Sequence, residues 1–306
     1  MHSFALDGKI VFVTGGTGTI GGRVVRELLT RGASVIVYSR DQNKQFRLDH
    51  DLASNRITYK NGDVCDYDLL ERSMRGADYV VHCAASKHVP LCETNVDSSI
   101  KVNVNGTRNV LQASVTNNIA RFLLLSTDKA VDPTSVMGAT KFLAERLTLD
   151  FSTAINASVV RLGNVFASSG SVVPTFADRI KHGLPLIVTD KNANRFFITQ
   201  KDIANFIVDR LIDMTTGKVY VKKMKQLNIY QLAECMGGIG YPITLTSLTS
   251  GEKLDEKLYS HQESSRIKDH GDYISINGES TSLYDDNFTS GTYTNLEIIE
   301  MLKDIK

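Results

Sequence analysis

The residues Thr14-Gly15-Gly16-Thr17-Gly18-Thr19-Ile20-Gly21 carry glycines at 15, 18 and 21, a G-x-x-G-x-x-G spacing. Such a loop is built to meet phosphate. Gly15 permits a tight turn, Gly18 lets backbone approach a pyrophosphate, and Gly21 allows a helix to pack closely on the preceding strand. The helix opening through Thr17, Thr19 and Ile20 offers free N–H groups to an anion. Further on stand Tyr38-Ser39-Arg40 and then Lys44. A hydroxyl, a guanidinium and an ammonium suit a ribose 2′-phosphate, whereas Asp41 falls one place late for gripping a free 2′-hydroxyl. The cofactor expected is therefore NADP rather than NAD, with Asp63 and Val64 at the adenine edge. A second group is Thr127-Asp128-Lys129, with Lys141 beyond it. Alone, an Asp-Lys pair at a strand end reads as a solvated ion pair.

The elements that position these residues follow from periodicity. Apolar β-branched runs at Lys9–Gly15, Ser34–Ser39, Arg56–Val64, Asp78–Ala85, Arg121–Thr127 and Ser158–Phe166 read as strands. Helical patterns separate them: 19–31, a polar helix near 67–75, a long helix ending near Asn117, and 138–155. Strands alternating with helices of this length imply βαβ units and a parallel sheet covered on both faces. The fold class expected is α/β, a Rossmann-like doubly wound sheet with a smaller α+β substrate-binding lobe. Residues 1–166 form the nucleotide domain, and 197–221 return to it through a helix over 201–213 and a strand ending at Val221. The lobe takes 167–196, with a helix near 175–182 and a strand at 186–189, and 222–306, ending in a helix near 296–303.

Composition narrows the partners. The formal net charge of +1 gives no electrostatic reason to expect nucleic acid or an anionic membrane. Cys65, Cys83, Cys92 and Cys235 form no C-x-x-C pair and no zinc-ligand spacing, so no metal is expected. No apolar stretch approaches a membrane span, and the N-terminus lacks a secretory h-region. These features predict a cytoplasmic protein without a membrane partner.

Short-chain dehydrogenases carry Tyr-x-x-x-Lys on the helix after the fifth strand, where lysine lowers the tyrosine pKa. Here the stretch is Met137-Gly138-Ala139-Thr140-Lys141, and methionine transfers no proton. The surrounding segment, STDKAVDPTSVMGATKFLAE from Ser126, resembles the UDP-N-acetylglucosamine 4,6-dehydratases, an extended short-chain dehydrogenase family in which some members carry that methionine. Further likenesses run in order along the chain: Ala84-Ala85-Ser86-Lys87-His88-Val89-Pro90, Asn103-Val104-Asn105-Gly106-Thr107, Arg161-Leu162-Gly163-Asn164-Val165 with Gly170-Ser171-Val172, Asp190 to Phe197, and Gly251-Glu252-Lys253-Leu254.

The resemblance implies a UDP-sugar substrate and internal hydride transfer. C4 is oxidised, the C5 proton is removed, water leaves from C6, and the cofactor is restored. Asp128 is then the acid, given a pKa raised by burial, and Lys129 the base, given a pKa lowered by desolvation and by Lys141. Thr127 meets the C4 oxygen and Lys141 orients the nicotinamide ribose, with Ala84 and Ala85 beside the cofactor. Lys87, His88, Asn164, Ser171, Val172 and Glu252 are expected at the substrate, and Arg195 on its diphosphate. A homo-oligomer, dimer or hexamer, is implied as well. Two departures touch phosphate binding: Thr249-Ser250 stands where members carry Arg-Pro, and Asp255 where they carry His. The competing readings are a dehydratase or epimerase on another nucleotide hexose such as UDP-glucose, and a non-catalytic NADP-binding sensor.

Overall fold

The computed structural model describes residues 5–248, 250–277 and 290–303. Its main sheet is built first from β1 (Ile10–Thr14), β2 (Ser34–Ser39), β3 (Ile57–Asn61), β4 (Tyr79–His82), β5 (Arg121–Thr127) and β6 (Ala157–Leu162). These pair in parallel in the order β3-β2-β1-β4-β5-β6. Consecutive residues of β1, β4, β5 and β6 are buried, as they must be when helices cover both faces. The register aligns Thr14 with Tyr38 and His82, so the ends of three strands open at one level.

After β6 the chain crosses between sheets. β7 (Asn164–Val165), β9 (Asn194–Ile198) and β11 (Lys225–Asn228) form a three-stranded sheet, and β8 (Leu186–Val188) pairs with β12 (Ile243–Leu245). The strand expected to run on to Phe166 breaks at Gly163. A Cβ there would stand 2.7 Å from both Cβ and carbonyl oxygen of Phe196, so β6 ends where the second sheet presses in. Phe166, Phe176, Phe197, Leu227 and Leu232 form this lobe's own core.

The helix Gln200–Asp213 packs on the helix Thr19–Thr30, and β10 (Val219–Lys222) extends the main sheet beside β6. One boundary needs correction. β13 (Ile267–Asp269) and β14 (Tyr273–Ile276), expected in the lobe, add antiparallel strands to the main sheet beyond β10. Ile267, Ile274 and Ile276 bury themselves there, covering an edge that would otherwise expose unpaired backbone groups. The long helix before Asn117 is also broken, into Val89–Thr94, Val96–Ile100, a π-helical turn Lys101–Asn105, and Gly106–Thr116. Among the described residues no helix is long and apolar enough to cross a membrane, and no cluster of metal-ligating side chains occurs.

Candidate active site

A cavity of about 800 Å³ opens at the carboxyl ends of β1, β2, β4, β5 and β6. The glycine loop forms one wall. Gly15 has φ +64°, and a Cβ on it would lie 2.8 Å from the Ala84 nitrogen. At Gly21 a Cβ would lie 2.3 Å from the Gly15 oxygen, so the helix Thr19–Thr30 starts hard against the loop. No side chain caps that helix at Gly18, which leaves its first N–H groups for a ligand.

A buried chain of hydrogen bonds fixes this wall. Ala84 N donates to Thr14 Oγ1 (3.2 Å), and Thr107 Oγ1 donates to the Asn103 oxygen (2.6 Å). The Thr107 oxygen therefore accepts from His82 Nε2 (3.0 Å), and His82 Nδ1 accepts from Thr14 Oγ1 (2.6 Å). Burial first, and the charge of Lys141 second, push the His82 pKa down to about 3, so the imidazole is neutral as this network requires. Asn103 continues the scaffold. It accepts from Ser86 N (2.7 Å) and donates to Thr140 Oγ1 (3.0 Å), tying the loop after β4 to the helix Val136–Asp150.

The expected cofactor residues Gly15, Thr17, Gly18, Thr19, Ile20, Gly21, Ser39, Arg40, Lys44, Asp63, Val64, Ala84, Ala85 and Lys141 all line the cavity. Asp41 is committed elsewhere: its Oδ1 caps the helix Gln42–Leu52 by accepting from Lys44 N (3.0 Å). Arg40 stands mostly exposed, 3.5 Å from Asp63 Oδ2. Lys44 lies likewise 3.7 Å from Asp41 Oδ2, so both cations stand at the end of the cleft beyond β2, each beside a carboxylate.

At the end of β5, residues Asp128–Ala130 make a single 3₁₀ turn. Thr127 Oγ1 donates to Asp128 Oδ1 (2.9 Å), and Lys129 Nζ donates to the same oxygen (3.2 Å). Asp128 is fully buried and does not line the cavity, and its Oδ2 has no hydrogen-bond partner among the described residues. Thr127, Lys129 and Met137 do line it. The expectation that desolvation and Lys141 lower the Lys129 pKa is not met. Burial pulls it down, but Asp128 and Glu256 outweigh burial, and the amine is held above its ordinary value against the opposing charge of Arg195. Lys141 is the amine that burial lowers, to about 8, despite Glu145 and Cys83. It donates to the Leu125 oxygen (2.5 Å).

Lys87, His88, Asn164 and Ser171 face the cavity. Lys87 Nζ donates to the Ser169 oxygen (2.6 Å), while Ser169 N donates to Thr19 Oγ1 (3.1 Å). Segment 168–171 therefore straps the lobe across the cleft. Burial, with Lys44 adding to it, holds the Lys87 amine below its ordinary value.

Val172, Arg195 and Glu252 do not line the cavity. Val172 packs toward the lobe core. Arg195 is buried, and its donors go to the oxygens of Asn194 (2.9 Å), Leu254 (2.5 Å) and Lys253 (2.7 Å) and to Glu252 Oε1 (3.1 Å). It secures the GEKL segment. Thr249 lies outside the described residues, and Asp255 bridges to Asn194. Sequence reasoning missed Glu256, whose Oε1 lies 3.4 Å from Lys129 Nζ. Its only signal was a place two residues after GEKL.

Known proteins resemble this chain along most of its length. A family model described as polysaccharide biosynthesis protein matches residues 11–278. A UDP-N-acetylglucosamine 4,6-dehydratase (inverting) of Campylobacter jejuni is 36% identical over 88% of this chain and 83% of its own. A UDP-glucose 4-epimerase of Rickettsia canadensis is 34% identical, covering 88% and 82%. Among solved structures, Pen from Bacillus thuringiensis superposes with a TM-score of 0.92 at 29% identity, covering 98% of this chain and 99% of that one.

Proposed function

The chain belongs to the polysaccharide biosynthesis protein family, and we propose that it removes water from UDP-N-acetylglucosamine to give a UDP-4-keto-6-deoxy-hexosamine. The observation that carries this reading is Thr127 and Lys129 in the cleft wall across from the glycine loop, with the Asp128 carboxylate bonded to both directly behind that wall. A dehydrogenase or 4-epimerase handles one hydroxyl proton. Elimination of water needs in addition a base for C5 and an acid for C6, and this turn holds both. Relatives of both kinds occur, a dehydratase and an epimerase.

Gly15–Gly21 would cradle the pyrophosphate of NADP, Ser39, Arg40 and Lys44 its 2′-phosphate, and Lys141 the nicotinamide ribose. When bound, that group supplies the reversible two-electron oxidation of the sugar and ends each turnover unchanged. Everything else is proton traffic. Thr127 Oγ1, already donating to Asp128, passes the C4 hydroxyl proton to the buried carboxylate. Asp128, behind the wall, returns it through the same Thr127 hydroxyl to the C6 oxygen, which departs as water. Lys129, as free amine, takes the C5 proton and later gives it back. Met137 contributes apolar wall and no proton. Lys87, His88, Asn164 and Ser171 contact the UDP-sugar directly, whereas Arg195 acts on the diphosphate through the segment it holds. The active species is a homo-oligomer, dimer or hexamer.

The test is incubation with UDP-N-acetylglucosamine, and separately UDP-glucose, in deuterated water, followed by NMR. The expected product has lost the C6 hydroxyl and carries deuterium at C5, with no net use of NADP. A C4 epimer without deuterium would put the protein among the epimerases, and no product with either sugar would reopen the sensor reading.

A further inference from the structure

A lysine that must begin as a free amine sits in this site as an ammonium between two carboxylates. Lys129 Nζ lies 3.2 Å from Asp128 Oδ1 and 3.4 Å from Glu256 Oε1, its side chain 22% exposed toward the cavity. On the dehydratase reading, Asp128 carries the proton that travels from C4 to C6. It cannot also store the one Lys129 must shed. Glu256 is free of such traffic. It is 5% exposed, and its Oε2 has no hydrogen-bond partner among the described residues, the nearest cation being Lys253 Nζ at 3.7 Å.

The backbone on both sides of Glu256 is clamped by a buried arginine. Before it, Arg195 holds the oxygens of Lys253 and Leu254, and Lys253 Nζ donates to the Val131 oxygen (2.7 Å), just past the catalytic turn. After it, Arg161 donates to the Leu258 oxygen (2.9 Å), to both oxygens of Glu145 (3.1 and 2.7 Å) and to both of Glu263 (2.9 Å each). Glu263 in turn closes a capping box with Ser260. Two desolvated guanidiniums are a costly means of holding a surface loop. Here they deliver one carboxylate from the second lobe to one amine of the first.

We propose that Glu256 is the positioning residue that takes the proton of Lys129 before each turnover, leaving the amine free to act at C5. One N–H bond of the ammonium breaks and one O–H bond forms on Glu256, so charge disappears in pairs and no outside reactant is needed. A bound sugar that shuts out water favours the step, because a low dielectric penalises the separated charges. The proposal rests on the dehydratase reading. The groups that set the balance are Asp128 on the same turn, Glu256, Lys253 and Glu252 on the GEKL side, and Arg195 from β9. From the helix Val136–Asp150, Gly138 packs on the Lys129 oxygen while the Lys141 amine is turned to Leu125.

The experiment is trace labelling of Lys129 with acetic anhydride as a function of pH, read by peptide mass spectrometry on folded full-length enzyme, together with the pH profile of kcat. In Glu256→Gln the labelling midpoint should fall by about one pH unit or more, the scale for removing an opposite charge at this range. Glu256→Asp, keeping the charge, should stay near wild type. Turnover by wild type should be flat over about pH 6.5 to 8.5, since the pair shares one proton, and should rise with pH in Glu256→Gln. An unchanged midpoint in Glu256→Gln overturns the proposal, as does a Glu256→Asp midpoint that falls equally far. Should Glu256→Gln fail to fold, a sloping wild-type profile overturns it alone. If labelling moves as expected but no deuterated 6-deoxy product forms, the dehydratase reading has failed while the electrostatic pairing stands.

Discussion

Replacing Lys141 by methionine removes an amine that burial holds down to about 8 from its ordinary 10.5. The sign follows from proton counting. Between those values the unfolded chain binds a proton that the folded one does not, so wild-type stability rises with pH across this window. Below it both states are charged and the full penalty applies. At pH 7 that penalty is roughly 3 kcal/mol, taking about 1.36 kcal/mol for each pH unit that separates the two values. At pH 10 most of it has gone, leaving roughly 1 kcal/mol. Against this, the variant loses the hydrogen bond to the Leu125 oxygen, worth about 1 kcal/mol. Lys141→Met should therefore be more stable than wild type at pH 7 by about 2 kcal/mol and no more stable at pH 10. Urea unfolding of the two proteins at each pH, without added nucleotide, measures the difference, and other lysines cancel between them. A stability difference that does not change between the two pH values would refute the claim that Lys141 is a desolvated amine.

Three further outcomes are expected. Arg40→Ala should weaken NADP binding by about 1.5–3 kcal/mol, the scale of a charge-assisted hydrogen bond, and leave NAD binding nearly unchanged by calorimetry. Asp128→Asn should abolish dehydration while nucleotide binding, followed by fluorescence, persists, because Asp128 lies behind the cavity wall and not in it. Arg195→Ala frees the oxygens of Lys253 and Leu254; unfolding should come about 2–4 kcal/mol more easily, since a buried charge network is lost, and UDP affinity should fall with it.

The glycine loop and the six parallel strands were legible because they rest on local patterning: β-branched runs, glycines at fixed spacing, helices of regular length. The residues expected at a cofactor follow from that scaffold and line one cavity. What escaped depends on contacts distant in sequence. Glu256 reaches Lys129 across more than a hundred residues, and nothing in its neighbours distinguishes it from a solvated glutamate. The direction in which the Lys129 pKa moves escaped for the same reason, since one of the two carboxylates that together outweigh burial, Glu256, comes from far along the chain. Arg195 matched a motif, yet its donors close on three backbone oxygens and Glu252, contacts that sequence patterns do not display. β13 and β14 were hidden by brevity, because three or four residues of alternating burial fall below what periodicity resolves.

The strap at 168–171 has a bearing on how long a nucleotide stays. It leaves the lobe through Ala167, whose φ of +53° is uncommon for a residue with a side chain, and passes Gly170, where any side chain would strike the His88 ring. Its two fastenings, Thr19 and Lys87, are themselves residues of the glycine wall and of the loop after β4. On the NADP reading proposed above, a dinucleotide seated beneath it would leave as these two fastenings loosen. On that reading residence time would depend on how fast the strap opens as well as on the contacts below it. A catalyst whose redox partner is restored within every cycle gains from such slow exchange, because a nucleotide lost in mid-cycle strands a half-converted sugar. Lys87→Met, which unfastens one end, should shorten the residence of bound nucleotide in a chase experiment.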